Sequence, residues 1–393
     1  MIKRIETEGL DVLLWTDQVE PGAYRQILNL ARHPYARKHI AIMPDCHEGF
    51  GMPIGGVLAT SAVIIPNAVG VDIGCGMSAV RTSLTGINKN DLKKIISSIR
   101  EVIPLGFKHH KKSQGDNRMP DPLKLGFDPL ELPVVSAEYD SALRQVGTLG
   151  GGNHFIEIQK DGDGAIWIMV HSGSRNIGKQ VADYYNKKAI SLNREAGEEY
   201  GPKTELAWLH LNSKTGQDYI KEMQYCIGFA MCNRYLMMER ITGIFSDFFG
   251  SHFSHGEIIN IAHNYASLEN HFGEELVIHR KGATKASKGL KGIIPGSQGT
   301  KSFIVEGKGS PDSFESCSHG AGRTMGRNQA IRTLNLDEEI RRLDKLNILH
   351  SIRNRNDLEE APSAYKNIEL VMAQQSDLAD IVTVLSPLAV IKG

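Results

Sequence analysis

Hydrophobic and polar positions follow two different periods along this chain. Short apolar runs rich in valine, isoleucine and alanine predict β-strands, because such residues pack well on a pleated sheet. These runs lie at 39–44, 54–65, 77–84, 154–158, 166–171 and 276–280. Longer segments with an apolar residue at every third or fourth position predict helices. These segments lie at 91–101, 178–199, 216–249 and 336–350.

The order of these elements bears on the fold class. Strands and helices are mixed without a regular strand–helix–strand rhythm, which favours an α+β fold over a doubly wound sheet. No break in composition divides the chain, so we expect one compact domain over residues 1–393, with mixed sheets. Two segments are predicted to be loops: the proline-rich 104–133, interpreted as an insertion, and the lysine-rich 281–301.

Composition narrows the class of protein. Lysine plus arginine and aspartate plus glutamate number 45 each, so nucleic acid would have to bind through a local patch. The five cysteines are an odd number scattered over a long chain, which argues against a disulfide framework. The first residues lack the apolar core of a signal peptide, and no apolar run is long enough to span a membrane. We therefore expect a cytoplasmic protein with no membrane partner.

The stretch V-G-V-D-I-G-C-G-M, at 69–77, places an acid and a thiol three residues apart among glycines. Asp72 and Cys75 are good metal ligands once ionised, and both are costly to bury without a positive partner. Four histidines stand at the ends of apolar segments or beside glycines, where a side chain can face a cleft: His154, His171, His263 and His319. The set predicts a metal site, and ligand chemistry alone favours zinc or another borderline metal, as one ion or two.

Two glycine-rich stretches raise the question of phosphate binding. G-T-L-G-G-G-N at 147–153 and P-G-S-Q-G-T at 295–300 can present backbone N–H groups to phosphate oxygens. Neither ends in the G-K-[ST] of a P-loop, so that kind of nucleotide site is excluded. For His319, residue chemistry alone favours a base or a metal ligand over a nucleophile, with Arg323 available to a phosphoryl group.

Taken together, these motifs resemble those of one family. V-G-V-D-I-G-C-G-M, G-G-G-N-H-F, H-S-G-S-R, P-G-S-Q-G-T, S-H-G-A-G-R and the terminal V-I-K-G are similar, in their order, to blocks of the RtcB family of RNA-splicing ligases. P-D-C-H-E-G at 44–49 and the pair His263-Asn264 extend the resemblance. It covers the chain from about residue 44 to its last residue.

The resemblance implies a ligase with RNA as its partner, in splicing or repair. The implied reaction joins RNA ending in a 2′,3′-cyclic phosphate or 3′-phosphate to RNA with a 5′-hydroxyl, using GTP and two Mn²⁺ ions. A histidine takes GMP from GTP and passes it to the RNA 3′-phosphate, and the 5′-hydroxyl then displaces GMP. The implied fold has a central cleft for metals and nucleotide. Which RNA is joined, and whether an archease-type activator is required, stay open.

The resemblance also implies roles for individual residues. His319 would be the guanylylated nucleophile, and Arg175 and the lysines at 281–301 would contact RNA. The implied metal ligands, with Cys75 bridging, are Asp72, Cys75, His154, His171 and His263. The implied cofactor contacts are Asn153, His154, Phe155, Glu157, His263, Asn264, Pro295, Gly296, Ser297, Gln298, Ser302, His319, Gly320, Ala321, Gly322 and Lys392. The position of Lys392 implies that the C-terminus folds back into the site.

Two features of the sequence depart from the family pattern. Gln298 stands where many relatives carry methionine, and K-H-H-K-K at 108–112 matches no family motif.

Two other functions compete with ligation. The main alternative is a metal-dependent phosphoester hydrolase in which His319 acts as a base and no covalent nucleotide forms. A second alternative is an RNA-binding protein that keeps the site without turnover.

Overall fold

The computed structural model describes residues 1–393 and contains helices and strands in mixed order. The α-helices are α1 Pro21–Ala31, α2 Pro66–Val69, α3 Lys89–Val102, α4 Pro122–Leu125, α5 Pro133–Gln145, α6 Arg175–Glu195, α7 Tyr200–Thr204, α8 Lys214–Phe249, α9 Arg327–Thr333, α10 Leu336–Lys345 and α11 Ile368–Gln374. Single 3₁₀ segments lie at Asp116–Arg118, Pro129–Glu131, Gly250–His252, Pro311–Ser313, Arg355–Glu360 and Pro362–Ala364.

The strands outnumber the helices and form two large sheets and two two-stranded sheets. They are β1 Lys3–Ile5, β2 Val12–Leu14, β3 Ala36–His47, β4 Ile54–Thr60, β5 Val63–Ile64, β6 Gly76–Arg81, β7 Phe155–Lys160, β8 Ile166–Ser172, β9 Leu209–His210, β10 Ile259–Ala262, β11 Asn264–His271, β12 Glu274–Lys281, β13 Ala283–Lys285, β14 Lys291–Ile294, β15 Ser302–Gly307, β16 Ser316–Ser318 and β17 Ala379–Lys392. One large sheet has the order β1-β2-β3-β4-β12-β11, and the other has the order β10-β6-β8-β7-β17-β15-β14. The two-stranded sheets are β5-β9 and β13-β16. The mixed content confirms the α+β class.

The two large sheets meet at His263. This residue alone separates β10, on the edge of the seven-stranded sheet, from β11, on the edge of the six-stranded sheet. The backbone N–H of His263 donates to the carbonyl of Cys75, and the N–H of Gly74 donates to the carbonyl of Asn264, each at 2.8 Å. The turn before β6 is therefore fixed to the crossing point of the sheets.

Helix α8 supports that turn from behind. Its N-terminus is capped by Ser213, whose side chain accepts from the N–H of Gly216, and it packs on β6, β8 and β10. Its Tyr219, Met223 and Cys226 are buried, in agreement with the helical period of apolar residues over 216–249. No helix of the structure has both the length and the apolar character needed to cross a membrane.

Most predicted elements are confirmed, and the differences have physical causes. The run 54–65 is broken at Ser61 and Ala62, where Ala62 has a φ of 64° and reverses the chain. The helix predicted over 336–350 ends at Lys345, just before Asn347 with a φ of 56°. The prediction of a loop over 281–301 is wrong in part, because β13 and β14 lie within it.

The largest element missed is β17, the 14-residue C-terminal strand. Its sequence contains Pro387, and proline within a run argues against a central strand because it has no N–H to donate. The structure places Pro387 at a register shift between β17 and β7, where the missing donor is tolerated. The strand continues to Lys392, which pairs with Phe155.

Candidate active site

Asp72 and Cys75 lie in the tight turn between α2 and β6. Gly74 has a φ of 75°, and a Cβ on it would lie 2.8 Å from the Cα of Ile227 on α8. Only glycine can therefore occupy this position without moving the helix. The side chain of Asn264 donates to the carbonyl of Asp72 at 3.1 Å, which fixes the other side of the turn.

Five side chains, which we call the donor cluster, converge on this turn: Asp72, Cys75, His154, His171 and His263. The ligand atoms of Cys75, His171 and His263 lie within 4.8 Å of one another, as do those of Asp72, Cys75 and His154. Cys75 Sγ is 3.3 Å from His171 Nε2 and 3.5 Å from His154 Nε2. The two sets share only the thiol, so the arrangement can hold two cations with Cys75 between them.

The protonation pattern of the donor cluster suits a metal site. His171 Nδ1 lies 3.2 Å from the carbonyl oxygen of Asn153, and donation there leaves the lone pair of Nε2 directed at Cys75. Burial lowers the pKa of His171 and of His263 well below the ordinary value, so both imidazoles are neutral, as metal ligands must be. His263 Nδ1 is buried without a hydrogen-bond partner.

Cys75 and Asp72 are in different protonation states in the protein alone, with the thiol protonated and the carboxylate ionised. Burial and the charge of Asp72 raise the pKa of the Cys75 thiol well above its ordinary value. Burial also acts to raise the pKa of Asp72, but the hydrogen bond from His154 together with the charges of His154 and Arg175 and the hydrogen bond from Cys75 lowers that pKa to about 2. A bound cation would reverse the state of the thiol, because a coordinating thiol loses its proton.

Arg234 lies on α8, behind this turn, and its guanidinium is fully buried. It donates to the carbonyl oxygens of Gly74 at 3.0 Å and Ser172 at 2.9 Å, and to Asn260 Oδ1 at 2.7 Å. Burial lowers its pKa to about 10, which still leaves it charged. Arg234 therefore fixes the backbone on both sides of the donor cluster and adds positive charge near its acid and thiol.

His319 stands beside the donor cluster and is held by a buried carboxylate. Its ring centroid is 4.7 Å from that of His263. Asp45 Oδ2 lies 2.6 Å from His319 Nδ1 and also accepts from the backbone N–H groups of His319 and Gly320, at 3.1 and 3.2 Å. Burial acts to raise the pKa of Asp45, but His319 outweighs it and keeps it below the usual value. His319 therefore donates from Nδ1, and in the neutral tautomer that does so the lone pair is on Nε2.

A cleft of about 600 Å³ opens in front of His319 and the donor cluster. His319 and Lys392 line this cleft, together with fifteen other residues that the sequence predicted to bind cofactor or metal. These are Asp72, Cys75, Asn153, Phe155, Glu157, His171, His263, Asn264, Pro295, Gly296, Ser297, Gln298, Gly320, Ala321 and Gly322. Ser302 lies behind the wall, where it accepts from Gln159 Nε2 at 2.9 Å. His154 also lies behind it, in contact with Cys75 and Asp72.

Comparison with known proteins agrees with this geometry. A family model described as tRNA-splicing ligase RtcB matches residues 26–128 and 129–393. The chain is 39% identical to the RNA-splicing ligase RtcB of Escherichia coli K12, over 99% of each protein. It is 32% identical to the tRNA-splicing ligases RtcB of Methanococcus maripaludis, over 98% of this chain and 94% of that protein, and of Thermococcus kodakarensis, over 94% and 90%.

The chain belongs to the RtcB family. The resemblance found in the sequence is thereby confirmed.

Several residues that line this RtcB-family cleft were not singled out from the sequence. Glu360 accepts from Arg323 Nη1 at 3.1 Å and from Lys392 Nζ at 3.3 Å, and it also accepts from the hydroxyl of Tyr365. Burial acts to raise the pKa of Glu360, but the charges of Lys392 and Arg323 outweigh it and lower that pKa to about 2. Glu360 lies in a 3₁₀ segment whose sequence has no glycine or histidine motif to mark it.

Asp45 is the second residue that sequence reasoning missed. It lies in β3, within the block P-D-C-H-E-G that carried part of the resemblance, but nothing in that block indicates a link to His319. The two residues are 274 positions apart in the chain, and only the packing of β16 against β3 brings them together. Pairing of this kind follows from the fold and has no local sequence signal.

The residues predicted to contact RNA occupy different surroundings. Arg175 does not line the cleft; its guanidinium donates to Thr148 Oγ1 at 3.2 Å and to the carbonyl of Gly106 at 3.3 Å. Lys281 does line it, donating to the carbonyl oxygens of Phe50 and Asn67, and burial lowers its pKa to about 7. Contact with RNA stays a prediction for these residues.

Proposed function

We propose that this protein is a GTP- and Mn²⁺-dependent RNA ligase. It joins RNA with a 2′,3′-cyclic phosphate or 3′-phosphate end to RNA with a 5′-hydroxyl end, through a guanylylated His319. The observation that carries the proposal is the position of His319, with Nδ1 bound to Asp45 and its ring against His263 of the donor cluster. Membership in a family whose relatives are named RNA-splicing or tRNA-splicing ligases supports the same reaction.

Asp45 sets the chemical state of His319 for attack on phosphorus. The Nδ1–H donated to Asp45 leaves the Nε2 lone pair as the nucleophile. Attack of Nε2 on the α-phosphorus of GTP forms a P–N bond and breaks the bond to the pyrophosphate oxygen, which leaves with the electron pair. The imidazole gains positive charge in this step, and the buried Asp45 carboxylate stabilises that charge.

The donor cluster would hold two divalent cations, with Cys75 as the shared ligand. When bound, two cations polarise the phosphoryl group and neutralise the charge that develops on its oxygens. Asn153 orients His171 through its carbonyl, and Arg234 holds the backbone of Gly74. These contacts fix the ligand directions before any metal binds.

The walls of the cleft supply groups suited to a guanine nucleotide. Lys392 Nζ lies 5.8 Å from the ring centroid of Phe155 and is paired with Glu360, so the ring and the cation have fixed positions. Burial raises the pKa of Glu157 to about 8, so its carboxyl is protonated at neutral pH. A protonated carboxyl group can donate as well as accept, and this matches the mixed donor and acceptor edge of guanine.

A covalent-labelling experiment tests the proposal. The protein is mixed with Mn²⁺ and GTP labelled at the α-phosphate, then denatured and examined for bound label. We expect label that is stable to alkali and labile to acid in the wild type, and none in His319→Ala. The matched control is His252→Ala, which removes an exposed histidine and should keep the label.

The same material separates ligation from the alternatives. A metal-loaded protein that opens cyclic phosphates but takes up no label would overturn the ligase and favour the hydrolase. A protein that binds RNA but neither takes up label nor joins ends would favour RNA binding without turnover. Label in the wild type together with joined RNA ends supports the proposed function.

A further inference from the structure

Residues 107–112, F-K-H-H-K-K, form an exposed segment that the proposed function does not use; we call it the basic arm. Phe107 is 97% exposed, which is unusual for so large an apolar side chain. Lys108, His109, Lys111 and Lys112 are exposed as well. The arm therefore presents an aromatic ring and a run of cations to solvent, with no packing role for either.

The arm begins beside the donor cluster. The backbone N–H of Gly106 donates to the carbonyl of Gly150 at 3.0 Å, and the carbonyl of Gly106 accepts from Arg175. Gly150 in turn packs against His154, since a Cβ on it would lie 2.6 Å from His154 Nδ1. Phe107 therefore directly follows Gly106, whose backbone is hydrogen-bonded to Gly150 beside the candidate metal site.

The other end of the arm is anchored through His110. Its backbone N–H donates to the carbonyl of Arg144 at 2.9 Å, and its Nε2 lies 2.9 Å from Arg240 Nη1. The charged groups that act on His109 and His110 are Arg144, Arg175 and Arg240, all of them cations. A chain with no net charge overall therefore has a local cluster of cations beside Gly150 and His154 of the candidate metal site.

We propose that the basic arm binds single-stranded RNA next to the end that is joined. Phe107 stacks on an unpaired base, and Lys108, Lys111 and Lys112 contact the neighbouring phosphates. The inference rests on the proposed function for the identity of its partner and specifies the form of RNA that the site accepts.

Charge and exposure favour RNA over a protein partner. Lysine is depleted at the core of protein interfaces, and a single aromatic ring among cations is not a contiguous apolar patch. An exposed ring beside lysines is the combination that single-strand binding uses, because each base offers a face for stacking. Bases inside a duplex are already stacked, so the ring selects unpaired nucleotides.

Fluorescence anisotropy of labelled RNA tests the arm without any turnover. The probes are a short single-stranded RNA and a fully paired, blunt-ended duplex of two RNA strands, both ending in hydroxyl groups that cannot be ligated. We expect Phe107→Ala to weaken the Kd for the single strand by about tenfold and Phe107→Trp to keep it within about twofold. The affinity for the duplex, whose bases are all paired and stacked, should fall by less than about twofold.

The matched control for the ring is Leu123→Ala, which removes an apolar side chain that is 92% exposed in the same predicted loop. Its Kd for either probe should equal that of the wild type. Equal binding by Phe107→Ala and the wild type, or equal losses for the two probes, would overturn the proposal. If Phe107→Ala changed the sedimentation coefficient of the protein without changing its affinity for RNA, the proposal would also be overturned. The arm would then contact a second copy of the chain.

The salt dependence of binding tests the lysines. For a single strand, the slope of log K against log salt falls by about 0.7 for each phosphate that the protein no longer neutralises. Lys111→Glu/Lys112→Glu should therefore reduce the slope by about 1.4. The control Lys187→Glu/Lys188→Glu reverses two adjacent exposed lysines on α6, and its slope should not change. Equal slopes for the two double variants would contradict the binding of phosphates by the arm's lysines.

These outcomes are independent of ligation. Specific binding by the arm in a protein that takes up no label from GTP would contradict the ligase and leave the arm intact. If the protein took up label and joined RNA, but the Phe107 and lysine variants bound RNA as the wild type does, the proposal for the arm would be contradicted and the ligase would stand.

Discussion

Two clusters of buried polar side chains lie on neighbouring parts of the fold, and they differ in how their charges are balanced. The first is the donor cluster already described. The second, which we call the arginine cluster, lies on β11, β12 and β13 and consists of Ser267, Glu269, His271, Arg280 and Lys285. Both are largely shielded from solvent, so each must satisfy its charges internally or with a ligand.

The arginine cluster is complete without any ligand. Arg280 is fully buried and binds Glu269 through both Nη atoms, at 2.5 and 3.1 Å. Its remaining donors reach Ser316 Oγ at 2.9 Å and the carbonyl of Phe314 at 2.8 Å. Burial acts to raise the pKa of Glu269, but Arg280 outweighs it and lowers that pKa well below the ordinary value. Arg280 and Glu269 are therefore both ionised, and their opposite charges neutralise each other.

The donor cluster is incomplete by the same test. It holds the neutral imidazoles of His171 and His263 beside a protonated thiol, with Asp72 as its one carboxylate. His154 Nδ1 and His263 Nδ1 are both buried without a hydrogen-bond partner, and His171 Nε2 lies 3.3 Å from Cys75 Sγ. An arrangement rich in acceptors and poor in donors has room for cations, and a matched ion pair does not. The contrast indicates which cluster is built for a ligand.

Removing the shared thiol should have the largest effect. We expect Cys75→Ala to lose bound Mn²⁺ and to lower the rate of ligation by about 10³-fold, because both donor sets use this sulfur. Metal content after dialysis and single-turnover ligation rates measure the change. Cys232→Ala removes a half-buried thiol on α8 and should match the wild type in both. Undiminished metal in Cys75→Ala would show that the thiol is no ligand.

Removing the carboxylate of the arginine cluster should affect stability and leave metal binding unchanged. We expect Glu269→Gln to destabilise the protein by about 3 kcal/mol, because it leaves Arg280 buried without its counter-charge. Thermal unfolding of the metal-free protein measures this, with Mn²⁺ content as the second readout. Glu306→Gln, at an exposed position on β15, is the control. Loss of Mn²⁺ from a folded Glu269→Gln would contradict the separation of the two clusters.

These clusters also show what a sequence can reveal about a site. Asp72, Cys75 and the histidines stand in glycine-rich motifs at strand ends, so a local pattern marks them as candidates. Asp45 and Glu360 lie in segments without such a pattern, and they reach His319 and Lys392 only through tertiary packing. The local motifs mark candidate metal ligands, whereas the partners of His319 and Lys392 are determined by long-range contacts.

The fold divides in the same way. Runs such as 39–44 and 166–171 predict strands because one or both faces are buried, and β3 and β8 confirm them. The prediction for 281–301 failed in part because its glycines and lysines resemble a loop, although Ile293 and Ile294 of β14 are fully buried and the strand pairs with β15. Two apolar residues in a row are too short a run to predict a strand.

Acid should remove the stability difference between the wild type and Glu269→Gln. The folded-state pKa of Glu269 is below its unfolded value of 4.5, so the carboxylate contributes stability that is present above that pH. This stability is lost as the pH falls through the folded-state pKa, because the protonated group no longer pairs with Arg280. We expect the difference in Tm to be largest near neutral pH and to narrow below about 4.5. A difference that is constant with pH would mean that packing, and not charge, explains the variant.

The smallest effect should come from the partly exposed member of the arginine cluster. Lys285 Nζ lies 3.2 Å from Glu269 Oε2, but its side chain is 36% exposed, so water already screens the pair. We expect Lys285→Met to cost no more than about 1 kcal/mol, since Arg280 still pairs with Glu269. Lys291→Met, at an exposed position on β14, gives the baseline for removing a lysine. A loss as large as that of Glu269→Gln would mean that the buried pair depends on the additional cation, and the arginine cluster would then not be complete with Arg280 alone.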